Sequence, residues 1–204
     1  MRRPRFIARQ AERPSGLFGR FLGAIMAVET RALNDEVLRH LAVAAGERIL
    51  EIGFGHGRTI ERAAKATAGA RFAGIDHAED MVEALSRRAH RLVDEGRLEL
   101  RAGNSSALPW PEASFDGAFT VHTIYFWADP APHLAEIHRV LRSGGRLMLA
   151  FRDRTPDVEA SAPPDIYHLR SRDDVLALLA VAGFETTATA GPGTSNWIVD
   201  ARKR

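Results

Sequence analysis

The stretch that decides the fold is RILEIGFGHG, residues 48–57. RILEIGF (48–54) reads as a buried strand running into a glycine turn, with Gly53, Gly55 and Gly57 at alternate positions. The strand is placed at 48–54 and the helix after it at 58–68. The same alternation then repeats along the chain. RFAGIDH (71–77) is a second strand, followed by a helix running through Asp94 with Met81, Val82, Leu85 and Leu92 facing inward. RLELRAG (97–103) and FDGAFTVH (115–122) are strands three and four, Pro130–Arg142 is a helix, and GRLMLAF (145–151) is strand five after a Ser143–Gly144 turn. Strands alternating with helices of this length predict a doubly wound, mostly parallel α/β sheet.

Beyond Phe151 the pattern changes. Residues 152–170 hold Pro156, Pro163 and Pro164 and read as a surface loop. Ser171–Ala182 is a helix with Ser171 as N-cap and Asp173 and Asp174 in its first turn. Strands 184–190 and 196–202, joined by GPGTS, should pair antiparallel at the sheet edge, bringing the sheet to seven strands. Upstream, residues 29–45 form a helix ended by Gly46, and 15–28 carry an amphipathic helical stripe. The division is a basic arm with an amphipathic lid helix at 1–30 and a ligand-binding domain at 31–204.

Composition narrows the function classes. The 204 residues are 45% apolar and 26% charged, as in an ordinary globular protein, which excludes wholesale disorder. A chain of this size buries about 70% of its unfolded surface and needs no staples. It has no cysteine, which excludes disulfide frameworks, Cys-based metal sites and thiol nucleophiles. With +5 at residues 1–20 and +3 at 201–204 against a total of +2, residues 21–200 carry −6. The basic ends are solvated tails or grips for phosphate. The longest apolar run, Phe21–Val28, is far too short to span a bilayer, and no cleavage site follows it, so the chain reads as cytoplasmic. His133 and His138 are five apart on one helix, do not share a face, and predict no metal site.

A glycine turn after the first strand and an acid, Asp76, at the end of the second specify a nucleoside-containing ligand: backbone N–H groups approach the ligand, and the carboxylate takes both ribose hydroxyls. The spacing is G-x-G-x-G, with Arg58 where a dinucleotide fingerprint has its third glycine, and Glu51 two residues ahead of the first. In this the sequence resembles the class I S-adenosylmethionine-dependent methyltransferases of the small-molecule type (methyltransferase domain 11-like), whose first motif reads acid-x-Gly-x-Gly-x-Gly. GIDHAEDMVEAL (74–85), GNSSALPWPEASFDGAF (103–119) and EIHRVLRSGGRLMLAF (136–151) agree with the family's later segments in order and spacing.

The resemblance implies S-adenosyl-L-methionine as cofactor, released as S-adenosyl-L-homocysteine. It implies a cofactor site of Glu51, Gly53, Phe54, Gly55, Gly57, Asp76, His77, Met81, Asn104, Ser105 and His122. Three departures stand out. Asn104-Ser105 replaces an Asp-Ala pair, Ser143 replaces a proline, and HTIYFW (122–127) stands where amino-group methyltransferases carry Asn-Pro-Pro-Tyr.

The acceptor should lie near the end of strand four, which makes His122 and Tyr125 the catalytic candidates. His122 is either a general base or a residue shaping the cofactor's methionine end. Tyr125, Phe126 and Trp127 are either an apolar acceptor wall or core, and Arg152 and Arg154 are candidates to meet an anionic group. With little room for a reading module, the sequence argues against nucleic acid and for a small-molecule acceptor, a lipid or quinone-like compound among them. The alternatives are an RNA or protein methyltransferase that uses the basic ends, and a non-catalytic regulatory protein that binds the cofactor. For 15–28 a lid, a packing helix and a peripheral membrane contact remain open.

Overall fold

The computed structural model describes residues 5–12, 30–193 and 195–204. The segment 15–28, with its lid and membrane readings, lies outside the described residues, as does most of the basic arm. Seven strands form one sheet: β1 (Arg48–Ile52), β2 (Arg71–Asp76), β3 (Leu98–Ala102), β4 (Phe115–Val121), β5 (Leu141–Arg152), β6 (Phe184–Ala190) and β7 (Asn196–Lys203). Their order is β3-β2-β1-β4-β5-β7-β6. The first five run parallel, and β7 is antiparallel to both β5 and β6. The strand order reverses between β1 and β4, and ligands of open α/β sheets bind at such a switch point.

Both faces of the sheet are covered, which is why β1 and β2 are buried at every position after the first and do not alternate between buried and exposed. On one face, α2 (Arg31–Leu41), α3 (Arg58–Ala66) and α4 (Glu79–Arg88) bury Leu33, Val37, Ile60, Met81 and Leu85 against Ile49, Phe72, Phe119 and Met148. The short α1 (Arg5–Glu12) buries Ala8 and ties Arg5 to Asp165 at 2.8 Å. On the other face, α6 (Ala131–Val140) and α8 (Arg172–Val181) bury Leu134, Ile137, Val175 and Leu179 against Leu50, Ile52, Leu147 and Leu149. Residues one apart on β1, Ile49 and Leu50, thus serve opposite layers.

Several boundaries differ from the sequence reading. The helix predicted over 29–45 stops at Leu41, because Ala42 turns left-handed (φ 47°) and closes the helix by donating its N–H to Leu38 O. The helix predicted through Asp94 breaks at Ala89, leaving α5 (His90–Asp94) as a separate turn. Strand β5 begins directly at Leu141; the expected Ser143–Gly144 turn is an irregularity in its register with β4, between the Phe115 and Gly117 pairings.

The largest correction concerns 152–170. These residues are not a plain surface loop: Thr155 accepts from Val158 N–H and starts α7 (Pro156–Ser161), while Ala162 and Ile166 are buried. His168 N–H donates to Tyr125 O at 2.8 Å, which ties the segment to the sheet's C-terminal edge. The prolines that read as breakers act instead as helix start and turn. The C-terminal helix behaves as predicted, with a full capping box between Ser171 and Asp174.

Phe119 sits at the centre of this frame, fully buried and paired with Glu51 on one side and Met148 on the other. Phe119→Ala should cost about 3–5 kcal/mol, read as a lowered urea midpoint at unchanged slope.

Candidate functional site

The glycine turn leaves β1 in a conformation that side chains resist. Gly53, Gly55 and Gly57 all have positive φ (68°, 50° and 70°). A Cβ on Gly53 would stand 2.6 Å from Thr123 Oγ1, so this glycine also allows the loop after β1 to touch the loop after β4. Gly53 N–H donates to Ile75 O at 2.8 Å, which holds the turn against β2. Beside it Asp76 is 5% exposed and accepts from two backbone donors, Gly55 N–H at 2.7 Å and Ala78 N–H at 2.9 Å. A carboxylate has about four acceptor positions, so Asp76 keeps capacity for a ligand's hydroxyls.

Glu51 is buried, and its Oε2 has no partner among the described residues. Burial drives its pKa well above the ordinary carboxylate range, and the nearby Asp76 charge adds to the rise; a backbone N–H of Ile60 offsets part of it.

These residues open onto a cavity of about 850 Å³ at the switch point. It is lined by Glu51, Gly53, Phe54, Gly55, Gly57, Asp76, His77, Asn104, Ser105, His122 and Tyr125, so ten of the eleven expected cofactor contacts and both catalytic candidates share one space. Met81 does not line it. Its side chain packs in the core behind α4, next to the layer that holds Phe72.

At the far wall Asn104 Oδ1 accepts from Ser106 N–H at 3.1 Å, and Ser105 Oγ lies 2.7 Å from His133 Nδ1. His133 stacks on Trp127 with centroids 4.6 Å apart and planes 9° from parallel. Burial lowers the His133 pKa, with the Asp129 charge opposing, which favours the neutral ring. The sequence reading considered His133 only as a failed metal partner of His138 and missed this contact. The signal was available: His133 lies in the first turn of the helix after β4, and helix N-termini in this fold face the ligand edge. His138 lies elsewhere, edge-on to Phe184. Among the described residues no group of three His, Asp or Glu is placed to hold a metal ion, and no helix is long and apolar enough to cross a membrane.

At the other end His122 closes β4 with φ 59°, a left-handed conformation that costs a non-glycine residue on the order of 1 kcal/mol. Its N–H is held by Ala150 O at 2.9 Å, and its Nδ1 lies 3.0 Å from Tyr125 Oη. Tyr125 Oη in turn accepts from Arg152 N–H. Tyr125 and Phe126 pack with Tyr167 of the 152–170 segment, centroids 6.2 and 5.3 Å away, whereas Trp127 turns toward His133. The aromatic run therefore serves two walls of one cavity.

Comparison with known proteins agrees with this geometry. The family described as Methyltransferase domain matches residues 50–149. An uncharacterized methyltransferase of Bacillus subtilis, YdaC, is 30% identical over 163 residues, covering 80% of this chain and 85% of its own. The chain belongs to the class I S-adenosylmethionine-dependent methyltransferases. An O-methyltransferase of Pyrenophora dematioidea is 33% identical over 162 residues, 76% of this chain and 60% of the relative. The crystal structure of a SAM-dependent methyltransferase from Aquifex aeolicus superimposes with a TM-score of 0.71 at 19% identity, covering all of both chains, and shares the fold.

S-adenosylmethionine is the cofactor of this methyltransferase, and the residues present fit it. Asp76 has acceptor capacity for the ribose, Glu51 presents an orphaned buried oxygen, and Gly53 leaves the space a side chain would fill.

Two outcomes are expected. Asp76→Ala and Gly53→Val should each weaken S-adenosylhomocysteine binding by about 10- to 100-fold in a calorimetric titration, the scale of losing hydrogen bonds to a charged group. Glu51→Gln should stabilise the unliganded protein increasingly as pH rises. A carboxyl with a raised native pKa contributes fully below the unfolded chain's ordinary value and loses that contribution as pH rises from there through the native value, whereas glutamine does not titrate. Urea midpoints of the two proteins should therefore converge at about pH 4 and separate toward about pH 8.

Proposed function

We propose that this methyltransferase transfers its methyl group to a hydroxyl of a small, largely apolar acceptor, with lipid and quinone-like phenols in the class. His122 serves as general base and Tyr125 as the residue that orients it. The observation that carries this reading is the chain from His122 Nδ1 to Tyr125 Oη to Arg152 N–H at the end of β4. The oxygen-directed name of the Pyrenophora relative also supports it.

The bound cofactor supplies an activated methyl on a sulfonium, so the protein's tasks are alignment, exclusion of water and, for a hydroxyl, removal of one proton. The phenol oxygen of Tyr125 accepts from the fixed Arg152 N–H and has a second lone pair for His122. With Nδ1–H donating into it, the imidazole keeps its basic lone pair at Nε2, where it can take the acceptor's proton. The imidazolium so formed keeps the same Nδ1–H bond, so the ring need not turn between the two states. The left-handed backbone of His122, tied to Ala150 O, fixes where the ring starts. Tyr125, Phe126, Tyr167, Val158 and Leu169 give the acceptor an apolar, partly aromatic wall.

The test is a titration with S-adenosylhomocysteine followed by turnover on a panel of phenols. One-to-one binding is expected. His122→Ala should then lower kcat by about 10²- to 10⁴-fold, the range for a lost general base, with cofactor affinity changed by less than about two-fold. Tyr125→Phe should lower kcat less and shift the acid limb of the pH–rate profile. If His122→Ala loses cofactor affinity as steeply as rate, His122 belongs to the cofactor site and the base reading fails.

A further inference from the structure

Arg152 and Arg154, both candidates for an anionic group, part company in the structure. Arg154 leans away and lies 3.7 Å from both Glu159 and Asp174. Arg152 lines the cavity, and among the described residues no carboxylate comes within ion-pair distance of its guanidinium. Other arginines of β5 are matched: Arg146 with Glu47 at 2.8 Å and Arg142 with Asp116. The backbone of Arg152 is held by Tyr125 Oη, so its side chain starts from the acceptor end of the site.

The residue directly across the sheet from Arg152 is Asn196, in register on β7. Asn196 is 9% exposed, lines the same cavity, and donates Nδ2–H to Pro192 O at 2.6 Å. Since a carbonyl can only accept, that bond fixes the amide's orientation and leaves Oδ1 as the other end. Oδ1 is buried and has no partner among the described residues. Among the described residues, a guanidinium with no carboxylate partner is thus in register with an amide oxygen that has no hydrogen-bond partner. Arg58, the second arginine lining the cavity, follows the glycine turn at the start of α3, on the cofactor side.

We infer that Arg152 and Asn196 form an anion subsite, so that the methyl acceptor is an aromatic hydroxy acid: a planar body against Tyr125, Phe126 and Tyr167, a hydroxyl toward His122 and a carboxylate on Arg152. Asn196 Oδ1 takes one guanidinium N–H, which orients the remaining donors as a fork for the carboxylate. This inference rests on the reading of the His122 end of the cavity as the acceptor half.

The experiment uses the full chain and begins with S-adenosylhomocysteine titrated into the unmodified protein. The loaded protein is then titrated with 3- and 4-hydroxybenzoate and with the matching hydroxybenzamides, which have the same shape and no charge. At least one acid should bind about ten-fold or more tightly than its amide. Arg152→Met should erase that difference, leaving the amide and S-adenosylhomocysteine affinities unchanged, and Arg152→Lys should restore part of it. Asn196→Leu should reduce the preference for the acid as well.

No binding of any acid, or equal binding of acid and amide, overturns the subsite while leaving the methyltransferase reading intact. A loss of S-adenosylhomocysteine affinity in Arg152→Met equal to the loss for the acid also overturns it, and assigns the guanidinium to the cofactor. Failure of S-adenosylhomocysteine to bind the unmodified protein is a different result, and counts against the cofactor site itself.

Discussion

The Asp76 carboxylate, buried at the end of β2, accepts the N–H of Gly55 from one loop and of Ala78 from another. These two bonds join the turns that leave β1 and β2, and the position of everything else at this edge follows from them. A buried carboxylate must be paired or neutralised; here backbone donors do the pairing, and ligand hydroxyls can complete it. The glycines are part of the same constraint. A loop that presents the Gly55 N–H to this carboxylate while passing Thr123 has no room for a Cβ at Gly53.

The site holds two kinds of incompleteness, and each suggests what fills it. Beside the glycine turn, Glu51 keeps a buried oxygen with no partner among the described residues and a pKa raised by burial beside a second acid. That arrangement costs the free protein stability and is relieved by a bound donor or cation. Toward β5 and β7 the mismatch has the opposite sign, with the Arg152 guanidinium lacking a carboxylate partner among the described residues. Between the two, His122 holds a strained backbone at the end of the central strand β4, tethered to Tyr125 and Ala150. Strain kept at a site is consistent with surroundings that over-determine it.

Much of the architecture was legible because periodicity and glycine spacing are local. The strands lie within a few residues of their predicted positions, apart from the early start of β5, and the N-cap at Ser171 is where it was expected. The misreadings share a cause. Residues 152–170 carry three prolines and mixed charge, a local pattern that cannot reveal that Ala162 and Ile166 are buried or that Tyr167 is drawn against aromatics some forty residues earlier. Met81 was placed in the site by resemblance, but the phase of α4 turns it into the core. His133 looked inert beside His138, because only the docking of α6 onto the sheet brings it to Trp127 and Ser105.

The sequence by itself determined the α/β class, the glycine turn, the acid that ends the second strand and, through G-x-G-x-G behind Glu51, the family. These are properties of residues near one another along the chain, where backbone geometry and side-chain phase leave few options. Only the tertiary structure decided which side chains are matched and which are not: that Arg154 is spent on Glu159 and Asp174, that Arg152 faces the cavity across from Asn196, and that Tyr125 links His122 to β5. Pairing of that kind depends on strands brought together from residues 122, 152 and 196, and long-range register is set by the whole packed core, not by any one segment.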